Sequence, residues 1–318
     1  MQQSVIVVPN HLPHLDFLKE WDELKGHKII VVQDIGNKPE IPEGFDIDIY
    51  DHEDIEKELG EDSWIIPSQT SACRSFGYYK AWQLKPQTIL TLDNDCYPES
   101  TEYWVKGHNI NLSALTTLDW INTATDLPMR GFPYGIRRKS NVWLSHGLWS
   151  NVPDLDGATM LHYPDLRFKP FDSVQTIPRY NFFPMCGMNL AWTVDLTPAM
   201  YFGLFGPEYG FDQYDDIWAG VLVKKVLDFL GKGVVSGAPS VEHRKQSKAM
   251  VNIKKQAPAL GMNEVFWQYV RDIQPTGETV AEVYKSIIEQ LPDTMEDEVP
   301  EWLPKFKKAA LIWVNLFQ

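Results

Sequence analysis

Basic residues are scarce in this chain. Its 318 residues include 29 Lys and Arg against 43 Asp and Glu, a formal charge of −14 with a pI near 5.0. Duplex nucleic acid needs a basic face to neutralise its phosphates, so a nucleic-acid partner is excluded. A small phosphate ester is not, because a few local cations or one metal ion can hold it. Cysteine is scarcer still. Cys73, Cys96 and Cys186 stand far apart with no CxxC pair, which excludes a disulfide framework and a cysteine zinc site and fits a reducing compartment. No run of 18 apolar residues exists, so no transmembrane segment is expected. The start lacks a basic stretch followed by an apolar one, so no signal peptide is expected and the chain reads as cytoplasmic. Repeats and low-complexity stretches are lacking too. Apolar residues at 44% and charged residues at 23% are ordinary for a globular protein.

What is present is an alternation of apolar runs and helical patterns. Val5 to Val8, Ile29 to Val32, residues 45–50, Ile65-Ile66 and Thr88 to Leu92 read as strands. Between them, residues 14–25 place Leu15, Leu18, Trp21 and Leu24 on one helical face, and 52–59 and 71–84 read as further helices. Strand and helix in alternation predict an α/β fold with a mainly parallel sheet flanked by helices, in which ligands sit beyond the carboxyl ends of strands. Residues 125–185 are rich in Pro, Gly, Arg and aromatics without periodicity and read as an ordered, loop-rich insertion. A helix at 216–230, strand segments at Val234-Val235 and Ser240 to His243, and helices at 278–291 and 301–317 follow. The last has an apolar stripe of Trp302, Phe306, Ala309, Trp313 and Leu316. These patterns divide the chain into a main α/β domain, 1–260, and a helical C-terminal appendage, 261–318, packed on that domain or on a partner such as a second copy in a homo-oligomer.

The sharpest chemical signal is Asp93-Asn94-Asp95 after the run at 88–92. Two carboxylates at a strand end suit a hard divalent cation, which takes one or two carboxylates plus waters and phosphate oxygens. The same spacing at Asp46/Asp48 and Asp154/Asp156 lacks that preceding run. His243 follows a strand and is a second candidate ligand. Asp215 and Asp216 precede a helix, where one suits a cap and the pair suits a sugar ring. Arg130, Arg137 and Arg138 form a local cationic cluster, and Lys245, Lys248, Lys254 and Lys255 form another that could reach a diphosphate. Trp149 and Trp218 lie beside these clusters and are candidate sugar-stacking rings, whereas Cys186 reads as buried structure.

The segments SACRSFGY (71–78), LTLDNDC (90–96), RGFPYGIR (130–137), SHGLW (145–149), FPMCGMNLA (183–191), PAMYFGL (198–204), YDDIWAG (214–220) and VNIKK (251–255) resemble, in order, the reversibly glycosylated polypeptide family, which includes UDP-arabinopyranose mutases. The resemblance implies a GT-A-like fold. It also implies a UDP-sugar enzyme that interconverts the pyranose and furanose forms of UDP-L-arabinose with Mn²⁺ or Mg²⁺; UDP-glucose is a further candidate ligand. By position it implies metal binding by Asp93, Asp95 and His243, and nucleotide binding by Asp34 (at the uracil), Arg74, Asp93, Asn94, Lys245 and Lys255. Arg137 falls on the arginine that the family glycosylates on itself, and Asp215 and Asp216 would orient hydroxyls or act as a base. Two positions depart from the family pattern. Asn94 stands where the family has Asp, and Arg138 where it has Glu. The alternative outcome at the same site is hydrolysis or self-glycosylation, and a third is a non-catalytic UDP-sugar-binding subunit.

Overall fold

The computed structural model describes residues 3–99, 103–121, 128–137, 139–244, 247–295 and 301–318. Its strands are β1 (Ser4–Asn10), β2 (Lys28–Gln33), β3 (Asp46–Tyr50), β4 (Thr88–Leu92), β5 (Cys96–Pro98), β6 (Leu115–Thr116), β7 (Ser140–Asn151), β8 (Val174–Thr176), β9 (Asn189–Thr193) and β10 (Gly233–His243). They form one sheet in the order β3-β2-β1-β4-β9-β7-β10-β5, with β6 on β7 and β8 on β10. The helices are α1 (His52–Leu59), α2 (Arg74–Gln83), α3 (Trp104–Ser113), α4 (Gly157–His162), α5 (Asp215–Leu230), α6 (Ala249–Gln256), α7 (Leu260–Asp272), α8 (Val280–Gln290) and α9 (Trp302–Asn315).

The α/β class follows from strands buried on both faces. Val5 and Val7 of β1 join a core with α2, α5, α7, α8 and α9, while Ile6 and Val8 join a second core with Leu15–Leu24 and α3. The first four strands pair in parallel, as the early alternation predicts. The later half is mixed rather than mainly parallel. β9 runs antiparallel to both β4 and β7, β10 runs parallel to β7, and β5 closes the edge antiparallel.

Other departures have local causes. The expected helix at 14–25 is instead two 3₁₀ turns, Asp16–Glu20 and Asp22–Gly26. Leu15, Leu18, Trp21 and Leu24 recur every third residue, which is the 3₁₀ period, and their backbones bond in that i→i+3 pattern. Ile65 ends a 3₁₀ turn, Gly60–Ile65, and is not in a strand. The insertion contains β7, a 12-residue central strand. Its Ser145 and His146 hide the apolar pattern because buried partners satisfy them: His108 bonds Ser145 at 2.8 Å and Ser236 bonds His146 at 2.9 Å. β9 follows unannounced by any run of its own, its Asn189 bonded to His108 and to Trp104 at 2.8 Å each. The two segments expected around Pro239 form one strand, with the register shifting between Gly237 and Ser240.

The C-terminal helices share the larger core. Phe266 stacks on Trp218 with centroids 5.0 Å apart, and the Trp302 indole donates to the Leu204 carbonyl at 2.6 Å. The apolar stripe of α9 is buried there, including Trp302, Phe306, Ala309 and Trp313. Trp218 is therefore core and not a stacking platform. Among the described residues no helix is long and apolar enough to cross a membrane.

Candidate active site

The directions of the strands bring β1, β2, β4, β7 and β10 to a common carboxyl edge. Asp93, Asn94 and Asp95 form the turn between β4 and β5, and Asp34 follows β2. His243 ends β10, and Asp154 follows β7. The segments leading into β9, α2 and α5 start at the same edge and supply Gly187, Ser71 and Asp215.

Asp95 Oδ2 lies 3.8 Å from His243 Nε2. The other ring nitrogen, Nδ1, donates to the Val152 carbonyl at 2.8 Å, which directs Nε2 at the carboxylate. Burial works to lower the His243 pKa, but Asp95, the Val152 carbonyl and Asp154 outweigh it and raise the value. Among the described residues no three His, Cys, Asp or Glu side chains gather closely enough to hold a cation alone. Two side chains with an open remainder fit the hard cations that keep waters and phosphate oxygens in their shell.

A second group centres on Gly187. Its carbonyl accepts from Arg74 Nη1 at 2.6 Å, and its N–H donates to Asp216 at 2.8 Å. A Cβ at this position would stand 2.9 Å from Arg74 Nη1, so the close approach requires glycine. Arg74 is 2% exposed and also donates to Asp93 at 2.5 Å, to Thr91 and to the Ser71 carbonyl. Next door, the Cys186 thiol donates to Asp154 Oδ2 at 3.2 Å. Burial pushes the Cys186 thiol well up, with Asp154 and Asp216 adding to it, so it is no nucleophile. Asp154 is reached by solvent but hemmed in by protein. That surrounding raises its carboxyl, with Asp93 and Asp95 adding to the rise and Cys186 and His243 opposing it.

At the start of α5, Asp215 accepts from Ser71 at 2.7 Å. Burial, then Asp212, pushes its carboxyl up to about 6. Asp216 is raised well above the carboxylate range by burial, Asp215 and Asp154. Asp212 accepts from Thr70 at 2.9 Å and from Lys255 at 3.1 Å, which puts Lys255 at the rim of the cleft.

A profile of the reversibly glycosylated polypeptide family matches residues 1–318. The chain belongs to this family. UDP-arabinopyranose mutase 1 of Oryza sativa subsp. japonica is 35% identical over 98% of this chain and 89% of its own length. UDP-arabinopyranose mutase 1 of Arabidopsis thaliana is also 35% identical, over 98% and 90%. Probable UDP-arabinopyranose mutase 1 of Zea mays is 39% identical over 85% and 76%. Among solved structures, S. aureus TarS 1-349 aligns with 99% of this chain and 89% of its own at a TM-score of 0.37 and 9% identity, too distant to carry an inference.

Several positions that match the reversibly glycosylated polypeptide family sit differently from the expectation. Arg74 commits four of its five N–H donors to Asp93, Gly187, Thr91 and Ser71 beneath the cleft, which fits a residue that positions the cleft floor. Asp93 is correspondingly paired with Arg74. Asn94 is buried and donates to Asn10 at 2.7 Å, in a chain that continues from Asn10 to Gln33 and ties β4, β1 and β2 together. Its Asp-to-Asn departure therefore alters a packing contact. Asp34 is buried and accepts from the Gln69 N–H at 2.8 Å, with His52 at 3.2 Å.

Arg137 is not brought to this edge. It precedes β7, whose amino end is opposite the carboxyl ends. Ser145 and Leu90 both pair with Ala191, so eight residues of strand rise, roughly 25 Å, separate Ser140 from Asp93. Arg137 instead lies over the Tyr134 ring, 3.8 Å from its centroid, and donates to the Phe132 carbonyl at 2.8 Å. Arg138 and Lys245 lie outside the described residues. Sequence reasoning missed Asp154, Asp212, Thr70 and Gly187 as site residues. Only Asp154 carried a signal, its spacing to Asp156, and Asp156 caps α4 by accepting from Ala158 and Thr159.

Proposed function

We propose that the chain interconverts UDP-L-arabinopyranose and UDP-L-arabinofuranose, with Mn²⁺ or Mg²⁺ held by Asp95 and His243. The observation that carries this reading is the approach of those two side chains from different strand ends, with His243 fixed by the Val152 carbonyl. Membership of the family and the names of the relatives support the choice of substrate. The bound cation would offset the charge that grows on the diphosphate as UDP departs from the anomeric carbon.

The chain's own residues do the rest. Arg74 holds Asp93 in place and offsets its charge at the cleft floor. Gly187 holds Asp216, whose raised carboxyl faces Asp154 and Asp215. Asp215, titrating near 6, takes the proton of the sugar hydroxyl that attacks the anomeric carbon and returns it to the ring oxygen displaced by that attack, so the ring changes size as one C–O bond forms and the other breaks. UDP, kept in the cleft, then rejoins the anomeric carbon. Arg137 has no step in this scheme. Because Asn94 is turned to Asn10, its departure from the family pattern does not weigh for hydrolysis. Free, buried Cys73, Cys96 and Cys186 support a reducing compartment and a cytoplasmic location.

The test is incubation with UDP-L-arabinopyranose and Mn²⁺, followed by chromatography of the products. UDP-L-arabinofuranose is the expected product. Asp95→Ala and chelation should each cut turnover by roughly a hundredfold or more. Turnover indifferent to both would overturn the cation assignment. Free UDP with free or protein-bound sugar would replace the mutase by hydrolysis or self-transfer.

A further inference from the structure

We propose that Asp154 is the sugar-binding carboxylate of the cleft. This inference rests on the UDP-sugar reading above and deepens it.

Most carboxylates of the carboxyl edge are already engaged. Asp93 is paired with Arg74, and Asp95 faces His243. Asp212 bonds Thr70 and Lys255, and Asp215 is buried against Ser71. Asp216 accepts from the Gly187 backbone. Asp154 is the most exposed of this set, Asp93, Asp95 and Asp216 being half-buried, and among the described residues the Cys186 thiol is the side chain that bonds it, through Oδ2.

The position of Asp154 is also built. Val152, two residues before it, donates its N–H to the His243 carbonyl at 3.2 Å and receives the His243 ring on its own carbonyl. Asp156, two residues after it, caps α4, and Gly157 lies so close to α6 that a Cβ would meet the Ala249 carbonyl at 2.7 Å. Pro153 stiffens the span between. The loop that carries Asp154 is thus anchored on one side to the residue proposed to hold the cation. On the other side, Cys186 links it to the adjacent Gly187, whose N–H holds Asp216. A sugar joined to a diphosphate at Asp95 and His243 projects from that point, and Asp154 is close enough to Asp95, His243 and Asp216 for their charges to act on one another. A carboxylate with a solvent-facing oxygen is a strong acceptor for sugar hydroxyls, and a nucleoside diphosphate without a sugar has no hydroxyl to offer there.

The experiment compares UDP and UDP-L-arabinopyranose as probes, each titrated by calorimetry in Mn²⁺ against the full-length protein and its Asp154→Asn and Asp154→Ala variants. Asp154→Asn keeps the shape and an acceptor for the Cys186 thiol, which guards against loss of the loop. The expected result is UDP affinity within about twofold of the unsubstituted protein, with UDP-L-arabinopyranose affinity about ten- to a hundredfold weaker in Asp154→Ala and less affected in Asp154→Asn. Equal weakening of both probes would overturn the assignment and make Asp154 part of the diphosphate end. No change in either probe would overturn it as well. Failure of the parent reading looks different, since the unsubstituted protein would then bind neither probe.

Discussion

The carboxyl edge of the sheet and the amino end of β7 are both rich in charge, but they are built differently. At the carboxyl edge the charged groups described above are held by short, buried contacts. Arg74 is fully buried and uses all three nitrogens, and Gly187, Cys186 and Val152 fix three separate carboxylate or imidazole groups through short contacts. At the amino end of β7, Arg137 lies on the exposed Tyr134 ring with one carbonyl partner. Tyr134 is 85% exposed. The lesson is that the same residue type does opposite jobs according to what surrounds it. A buried arginine holds Asp93 and Gly187 in register at the cost of desolvation, and a half-buried arginine lying on an exposed ring contributes little to stability.

Arg74→Ala should have the largest effect. It would strip Asp93 of its partner and leave the Gly187 carbonyl unbonded in a buried setting. Urea unfolding should register a loss of about 2–3 kcal/mol, below the full penalty for a buried pair because half-buried Asp93 keeps some contact with water. UDP affinity should fall with it, because Asp93 and Gly187 both lose their anchor. A loss below about 1 kcal/mol would mean that the carboxyl edge stands without its arginine.

A smaller effect sharpens the same edge through pH. The fold raises the Asp215 carboxyl from its ordinary 3.8 to about 6, because burial and Asp212 disfavour the charge. The folded state therefore binds a proton that the unfolded state has released, and this contribution to stability is complete below pH 4. It is lost as pH rises from about 4 to about 6, and no further change follows above that. Asp215→Asn cannot lose a proton and can still accept from Ser71. Its stability relative to the parent protein should thus climb across pH 4 to 6 and then level off, read from urea midpoints at each pH. A difference that stays flat across that window would show that burial does not control this carboxyl.

The contrast between the edges also explains what could be read from residue order alone. Strands β1, β2 and β4 were legible because both faces are buried and the runs are continuous, and Asp93 and Asp95 were legible because they end such a run. The site half formed by β7 and β9 was not. Their interior Ser145, His146 and Asn189 look like loop residues until His108, Ser236 and Trp104 are placed beside them. Asp154 was marked only by its spacing to Asp156, and its place in the site depends on Val152 meeting His243 from the neighbouring strand. Arg137 shows the converse. Local cationic composition and a family match marked it, yet strand direction decides which end of the sheet it occupies, and direction is not written in a nine-residue motif.

The smallest expected effect belongs to Arg137→Ala. Removing the guanidinium deletes its contact with the exposed Tyr134 ring and one bond to Phe132. The cost should be about 1 kcal/mol or less, which urea unfolding can just resolve. UDP affinity in Mn²⁺ should stay within about twofold of the unsubstituted protein, because roughly 25 Å of strand rise lies between the two ends. The comparison makes this small number informative. A sharp loss of UDP binding would require Arg137 to reach a nucleotide site, either by movement of residues 128–137 to the carboxyl edge or by delivery to the cleft of a second copy. Dilution separates those two cases, since only the second weakens as the protein is diluted. Preserved UDP binding would instead leave the two ends independent and confine nucleotide recognition to the edge where Arg74 is buried.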